Sequence, residues 1–572
     1  MDLTARRTGL QLLVRSSRLE LASRADAGTD AVGGTKLGAS LSRSARRIAG
    51  RAAPRLRRPW NAQDRTAGAS SAVQGDRDYS LSGPSSRAAV ESGLADAEWY
   101  RPAIDLERLR GLMARRDGRA ARDTLLWLGL VAGTGIVAHR SRGRAWALPA
   151  FAAYGGLYGG AADPRWHENG HGTAFKTRWA NDVVYTLASF MLLREPTMWR
   201  WSHVRHHSDT LVVGRDPEIA FPRPVELRTL LPNYVHLFNG PKMIWRMIRH
   251  AAGSIDADAV SIVPEDELSR VVWDARIFVA ILGGVVGWSV MAGSITPLLF
   301  VGLPSFYGVW LLWFFAITQH AGLPENVLDH RISTRNVYMN PVFRFLYLNM
   351  NYHLDHHLFP AVPYHALPAL HEEIKDQLPA PNKSMLSAYR EIVGALRMQR
   401  KDPTWEIPDR LIPAADPRSS TRTMRTEVGT AGVPGTVPGA VLAAEVALHA
   451  TEEGSVDLGP ADMVRPGEVT RIDLDGRTYA LCRPTTDSYW LTDGICTHAQ
   501  AHLAEGHLDG FNIECPKHNG RFDVRTGEPL RRPVKTPLGT YPVSAVDGRI
   551  RAKVPTGPDQ ELSNCNTSRT AG

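Results

Sequence analysis

The sequence predicts a fold of two parts, an α-helical membrane domain followed by a small all-β domain. Three observations carry this. Four apolar runs, Leu125 to Ala138, Ala145 to Ala162, Ile277 to Gly293 and Ile295 to Thr318, lie between arginine-rich stretches in a chain with 15 Trp. Near the C-terminus, Thr470 to Arg483 alternates apolar and polar residues around Asp475-Gly476, a hairpin signal, and Tyr489 to Asp493 and Tyr541 to Val554 continue the short-strand rhythm. Between them, Lys401 to Gly439 holds Pro403, Pro408, Pro413, Pro417, Pro434 and Pro438 among scattered Gly and Ser, the composition of an extended tether. The expected layout is a membrane domain over 95–400, a linker over 401–440, a β domain over 441–556 and a polar tail over 557–572.

The first 94 residues are rich in Arg, Ser, Ala and Gly without a sustained apolar period and are expected to be a disordered tail. No apolar core of a secretory signal is present in it. The first 60 residues hold 13 Lys or Arg against 4 acids, which accounts for the whole net charge of +9. The remainder is neutral, so the charge gives no reason to expect a nucleic-acid partner. Four cysteines, Cys482, Cys496, Cys515 and Cys565, have no small secreted scaffold to staple and fit a reducing compartment.

Structure is expected from Trp99, with a helical stretch from Ile104 to Arg122 carrying six arginines up to the first apolar run. A bilayer core takes roughly 20 helical residues, so the fourth run spans comfortably and the first three borrow flanking residues. The expectation is four transmembrane helices arranged as two hairpins. Arginines before the first span, and many between Arg165 and Arg270, place the N-terminus and the central segment on the cytoplasmic side of what is expected to be a bacterial cytoplasmic membrane. The first hairpin tip, His139 to Arg144, holds three arginines and argues against that orientation, whereas the second tip, Met291 to Thr296, holds none.

Nine histidines stand in a pattern around these spans. His167 and His171 form H-x-x-x-H; His203, His206 and His207 form H-x-x-H-H; His353, His356 and His357 repeat it; His320 ends the fourth apolar run. Imidazole suits iron, zinc and copper, and one tetrahedral zinc cannot use so many, so the pattern asks for two metals. On a helix His167 and His171 share a face, as do His203 and His207, and His353 and His356 at i, i+3 are expected to meet similarly. Adjacent pairs such as His206 and His207 point about 100° apart and can serve two metals. Two spans separate the second box from the third, so all three boxes lie on one membrane face. His320, an ionisable residue at the end of a span, is a functional candidate by its position.

Carboxylates sit beside these ligands at Glu168, Asp209, Asp216, Glu218 and Asp355. Asp355 and Asp209 are the first candidates to accept the second ring N–H of a ligand, the contact that fixes the tautomer. His167 to His171 also satisfies H-E-x-x-H, the zinc peptidase signature with Glu168 as general base. A zinc membrane peptidase leaves both H-x-x-H-H boxes unexplained, and Gly170 and Gly172 weaken a continuous helix there.

From Trp99 to Trp405 the chain resembles the membrane fatty acid desaturase superfamily, on the phrases WHENGHGTAFKT, WRWSHVRHHSDT, TQHAGL and NYHLDHHLFP. It is similar to the branch that includes a bacterial desaturase-like protein of rhizopine catabolism. The resemblance implies three histidine boxes on the cytosolic side of a four-helix unit and a non-haem di-iron centre that activates O2 and abstracts hydrogen from an unactivated C–H bond. It makes His167, His171, His203, His206, His207, His320, His353, His356 and His357 the iron ligands. Two departures leave desaturation and hydroxylation both open: the first box has short spacing, and TQHAGL is as similar to alkane hydroxylases as to acyl desaturases.

In the β domain, Cys496-Thr497-His498 is followed after 16 residues by Cys515-Pro516-Lys517-His518. Two cysteines and two histidines at C-x-H spacing in a strand-rich setting fit a Rieske centre better than a zinc finger. From Val456 to Val554 the chain resembles a Rieske ferredoxin, on ECPKHNGRFDVRTGEPL and PVKTPLGTYPV. The resemblance implies a [2Fe-2S] cluster on Cys496, His498, Cys515 and His518, of the low-potential kind, since Ala501 and Lys517 stand where high-potential members carry a disulfide. Cys482 and Cys565 are bystanders, and His502 and His507 are expected at the surface near the cluster. His139, His236, His250, His330, His365, His371 and His449 are not expected to bind metal.

Together the two resemblances imply an O2-dependent oxidoreductase of the membrane bilayer that desaturates or hydroxylates an acyl or lipid substrate. Its Rieske domain would supply electrons from a separate NAD(P)H-dependent ferredoxin reductase, since no Gly-rich dinucleotide fingerprint is present. The rhizopine likeness permits a small non-lipid substrate instead.

Overall fold

The computed structural model describes residues 77–95, 99–225, 232–407, 412–413, 455–474, 476–498 and 501–555. The expected tail up to residue 76, most of the linker, the C-terminal tail and Cys565 lie outside the described residues. Among the described residues the first helix lies earlier than the sequence suggests, α1 (Pro84–Glu91). This stretch has no apolar period; polar contacts hold it instead. Tyr79 donates to Glu325 at 3.0 Å and accepts the Arg223 amide at 2.8 Å, and Arg77 pairs with Glu325 at 3.3 Å.

The arginine-rich stretch is two helices rather than one. Helix α2 (Leu106–Leu112), capped by Asp105, stops and the chain restarts as α3 (Asp117–Ser141), which carries the first apolar run. The second run is α4 (Ala147–Gly155), a π turn over Gly156–Gly160, and α5 (Ala162–His171). Helices α6 (Arg178–Met191), α7 (Pro196–Ser208), α8 (Asn239–Ala251) and α9 (Ala257–Ile262) form the central segment. The second pair of runs gives α10 (Leu268–Met291), then α11 (Thr296–Phe300), α12 (Pro304–Tyr307) and α13 (Trp310–His320) in close succession. Helices α14 (His330–Ser333), α15 (Pro341–Leu346), α16 (His353–Leu358), α17 (Leu367–Ile374) and α18 (Met385–Lys401) complete the domain.

Among the described residues three helical stretches are long and apolar enough to cross a membrane: Asp117–Ser141, Glu265–Met291 and Thr296–His320. The expected second span, Ala145 to Ala162, is not one of them; a π turn over Gly156–Gly160 lies within it. The glycines there serve packing: a Cβ on Gly155 would enter the Tyr307 ring, and one on Gly159 would lie 2.8 Å from the Pro304 carbonyl oxygen. Small residues that let backbones approach are the usual device for helix association in lipid. Leu148 and Met291 are 81% and 83% exposed, and Leu125, Ile277 and Val290 are exposed with them, an apolar surface that suits lipid rather than water. The buried core runs through Trp127, Trp166, Tyr185, Phe315 and Tyr347, with the last two rings stacked at 4.5 Å.

The C-terminal domain is all β. Strands β1 (Val456–Pro460), β2 (Glu468–Leu474), β3 (Arg477–Thr485), β4 (Ser488–Asp493), β5 (His507–Asp509), β6 (Asn512–Glu514), β7 (Arg521–Asp523), β8 (Pro529–Arg531), β9 (Thr540–Tyr541), β10 (Val543–Val546) and β11 (Arg549–Ala552) form three antiparallel sheets. Their orders are β1-β11-β10, β2-β3-β4-β9 and β5-β6-β7-β8. The expected hairpin pairs Leu474 with Arg477.

The β domain packs directly on the helical domain, and the arginines before the first span make much of that interface. Arg115 grips Glu514 with both terminal nitrogens, Arg101 pairs with Glu505, and Arg110 donates to the Val469 carbonyl at 2.7 Å. On another side Arg532 and Lys535 pair with Asp266, and Arg532 also reaches Glu267 at 2.7 Å.

Candidate metal centre

The nine histidines converge into two groups. His167, His171, His203, His207 and His356 form one, and His206, His320, His353 and His357 the other; in each group the ligand atoms lie within 4.8 Å of one another. The boxes therefore interleave. Helix α7 sends His203 and His207 to the first group and His206, about 100° around, to the second. Helix α16 sends His353 and His357 to the second group and His356 to the first. The expectation that His353 and His356 act together is thus corrected: the i, i+4 pair shares a group, with His357 Nε2 3.1 Å from His353 Nε2.

The donor set is uniform. Nε2 to Nε2 separations are 2.6 Å for His167 and His356, 3.1 Å for His171 and His203, 3.2 Å for His207 and His356, and 3.0 Å for His320 and His353. In three of the nine the opposite ring nitrogen has an acceptor: His203 Nδ1 meets Glu218 at 3.2 Å, His206 Nδ1 both oxygens of Asp216 at 3.0 Å, and His320 Nδ1 the Ser333 carbonyl at 2.9 Å. With Nδ1 carrying the proton, Nε2 lone pairs face one another, an arrangement that a cation between them stabilises. Burial and the neighbouring imidazoles hold His167, His171, His207, His353 and His357 well below the usual histidine range, in the neutral form that ligation requires. His206 differs: burial lowers it, but Asp216 outweighs that and raises it to about 8. The residues fit two metal ions.

The carboxylates that touch ligands are Asp216 and Glu218, not Asp209 and Asp355. Asp209 pairs with Arg215 at 3.1 Å. Asp355 accepts from Asn336 at 2.8 Å and meets His371 at 3.1 Å, while Asn336 also accepts the Leu354 amide, so this trio fixes the short helix α16 rather than a ligand. Helix α5 continues through Gly170 and ends at Gly172, whose φ of 68° caps it, so those glycines do not break the H-E-x-x-H turn. Oε1 of Glu168 accepts the Tyr364 amide at 3.1 Å, and both flanking histidines belong to the five-membered group, a larger donor set than a single peptidase zinc uses. Trp166, Gly170, Tyr185, Arg200 and Val204 line a cavity against His167, His171 and His203.

In the β domain the four expected ligands form two pairs. Nδ1 of His498 lies 3.2 Å from Nδ1 of His518, and the hydrogen bond to Cys496, with burial, raises the Cys515 thiol. A sulfur pair beside a nitrogen pair is the donor set for two irons. Cys482 is buried in β3 and forms no disulfide. His502 is buried rather than at the surface: it meets Thr478 at 2.7 Å and accepts the Ala504 amide at 3.0 Å.

Three contacts invisible to motif reading join the centres. His518 Nε2 lies 2.9 Å from Ser208 Oγ, and Asn519 and Arg531 donate to the His171 carbonyl at 3.2 and 2.6 Å. Trp99, the residue where structure was expected to begin, donates to the Ser208 carbonyl and stacks on buried His330 at 4.0 Å.

The family model "Fatty acid desaturase" matches residues 143–389, and the model "Rieske [2Fe-2S] domain" matches residues 454–542. The chain joins a fatty acid desaturase domain to a Rieske ferredoxin domain. The Rieske part is 37% identical over 99 residues to the ferredoxin component of the naphthalene 1,2-dioxygenase/salicylate 5-hydroxylase systems of Ralstonia sp, covering 17% of this chain and 94% of that protein. It is 42% identical over 84 residues to the ferredoxin component of the naphthalene 1,2-dioxygenase system of Pseudomonas putida, covering 15% and 80%. Among solved structures, a complex of reduced oxygenase and oxidized ferredoxin in carbazole 1,9a-dioxygenase matches at 36% identity over 17% of this chain and 98% of that one, with a TM-score of 0.16. The desaturase domain thus brings a di-iron centre and the Rieske domain a [2Fe-2S] cluster, and the chain is an oxidoreductase with its own ferredoxin.

Proposed function

We propose that the protein is an O2-dependent membrane oxidoreductase that desaturates or hydroxylates an unactivated C–H position of a lipid or acyl substrate. The observation that carries this reading is the double histidine group with a cluster-bearing domain packed against it. Four transmembrane helices as two hairpins, the fourth contributed by the glycine-interrupted stretch from Ala145 to Ala162, would put both metal domains on the cytoplasmic side of a bacterial membrane. The desaturase domain would occupy 95–400 and the Rieske domain 441–556, with the linker between them.

His167, His171, His203, His207 and His356 would hold one iron, and His206, His320, His353 and His357 the other, each through Nε2. Bound there, the di-iron centre supplies O2 activation and hydrogen abstraction. Asp216, Glu218 and the Ser333 carbonyl keep the proton on Nδ1 of His206, His203 and His320 and so leave Nε2 free to ligate. Trp166, Tyr185 and Arg200 wall the cavity beside His167 and His171 and shape the approach to the five-histidine group. Cys496, His498, Cys515 and His518 would hold the cluster, loaded by a separate NAD(P)H-dependent reductase; the covalent linker keeps this donor at high effective concentration. Mass spectrometry of lipids from cells expressing the protein tests the reading. Gain of an oxygen atom or loss of two hydrogens in a lipid, absent in His356→Ala, supports it; an unchanged lipid profile with product from a small polar compound replaces it with the non-lipid alternative.

A further inference from the structure

The two histidines of the cluster site are placed unequally. His498 is exposed, whereas His518 is 7% exposed and turned into the desaturase domain. With Nδ1 of His518 directed at Nδ1 of His498 and the cluster, its Nε2–H donates to Ser208 Oγ at 2.9 Å, and the Ser208 hydroxyl in turn donates to the Val204 carbonyl at 3.2 Å. Ser208 is the last residue of α7 and is covalently next to His207. The next residue of the cluster loop, Asn519, donates to the carbonyl of His171 at 3.2 Å. The first bridge ends beside His207 and the second on the backbone of His171, both of the five-histidine group, and neither touches His206, His320, His353 or His357.

We infer that Ser208 and Asn519 are the coupling residues between the two centres and that the five-histidine metal receives the electron first. Resting on the reading of both metal centres above, the step moves one electron from the reduced cluster, which is oxidised, to the five-histidine metal, which is reduced; no bond forms or breaks. His498, on the open side, remains for the reductase. A competing path runs from Ser208 to Trp99, across its stack on His330 at 4.0 Å, and over a ring separation of 5.0 Å to His357 of the four-histidine group. It crosses two gaps without a bond and is the slower of the two.

The test uses the iron-loaded full chain, without O2, photoreduced at the cluster, with freeze-quenched spectra following loss of the cluster signal and reduction at the histidine-bound iron. Ser208→Ala slows the transfer, and Ser208→Thr restores it. Ser208→Ala also shifts the magnetic coupling of the remote nitrogen of His518, which a merely structural serine would leave alone. Asn519→Ala slows transfer further when combined with Ser208→Ala, while Trp99→Phe does not. Wild-type transfer in Ser208→Ala, or slowing by Trp99→Phe in its place, overturns the inference. Absence of a cluster signal, or of histidine-bound iron in the wild type, overturns the reading beneath it, so the two failures are distinguishable.

Discussion

Asp216→Asn removes the negative charge behind His206 while keeping the shape of the side chain. Both Asp216 oxygens stand 3.0 Å from His206 Nδ1, and the same carboxylate also accepts the amides of Leu211 and Glu218 at 2.8 Å each, so the group is rigidly aimed. His206 is the sole member of its box in the four-histidine group, whose other ligands come from α13 and α16. Loss of such a partner weakens a metal by about 10- to 100-fold, or about 1.4–2.7 kcal/mol. The effect belongs to one metal of the two, since the five-histidine group draws on Glu218 through His203. Chelator competition on the purified protein, followed by metal analysis, should show half of the histidine-bound metal leaving early. Asp209→Asn, which touches no ligand, serves as control and should leave both metals bound. Equal retention in Asp216→Asn and wild type, or simultaneous loss of both metals, refutes the division of ligands into two groups.

Arg115→Ala leaves buried Glu514 with Arg521 alone at 2.5 Å; loss of one partner from a buried charge pair costs about 2–5 kcal/mol, so hydrogen exchange should rise around His171 and Cys515 as the Rieske domain loosens. Gly172→Ala should act in the same direction, because the position has a φ of +68° and an added Cβ would enter the Arg531 guanidinium; unchanged exchange would contradict it. His250 supplies a pH dependence. Burial lowers this imidazole, but Asp256 at 2.8 Å and Glu195 at 2.5 Å outweigh it and raise it to about 9 from an ordinary 6.5. Its stabilisation, up to about 3 kcal/mol, is complete below pH 6.5 and lost as pH rises towards 9. Thermal melting of the wild type should fall across that window, while His250→Gln starts lower and stays flat; identical slopes would remove His250 as the cause.

The histidine boxes and the cluster motif were legible because metal chemistry restricts residue type and spacing more tightly than folding does. Which histidine serves which metal was not, since it depends on the rotation of α7 and α16 against each other: i, i+3 and i, i+4 are equally good neighbours on an isolated helix. The supporting carboxylates were misassigned for a related reason. Asp209 and Asp355 are closest to the boxes along the chain, whereas Asp216 and Glu218 reach back through the turn after α7. Arginines 101, 110 and 115 look the same in sequence whether they mark the cytoplasmic side or hold a domain, and only the fold shows Glu505, Val469 and Glu514 opposite them. The π turn was hidden because its glycines read as an ordinary apolar run until Tyr307 and Pro304 are seen against them.

Mössbauer spectroscopy of the isotopically enriched full chain tests the central claim most directly. The account predicts absorption divided equally between cluster iron and histidine-bound iron, the latter from two sites, with the share of the five-histidine site lost in His356→Ala while the cluster and the four-histidine site remain. Iron confined to the cluster of a wild-type protein grown in iron-replete medium, with zinc bound by the histidines, would contradict it.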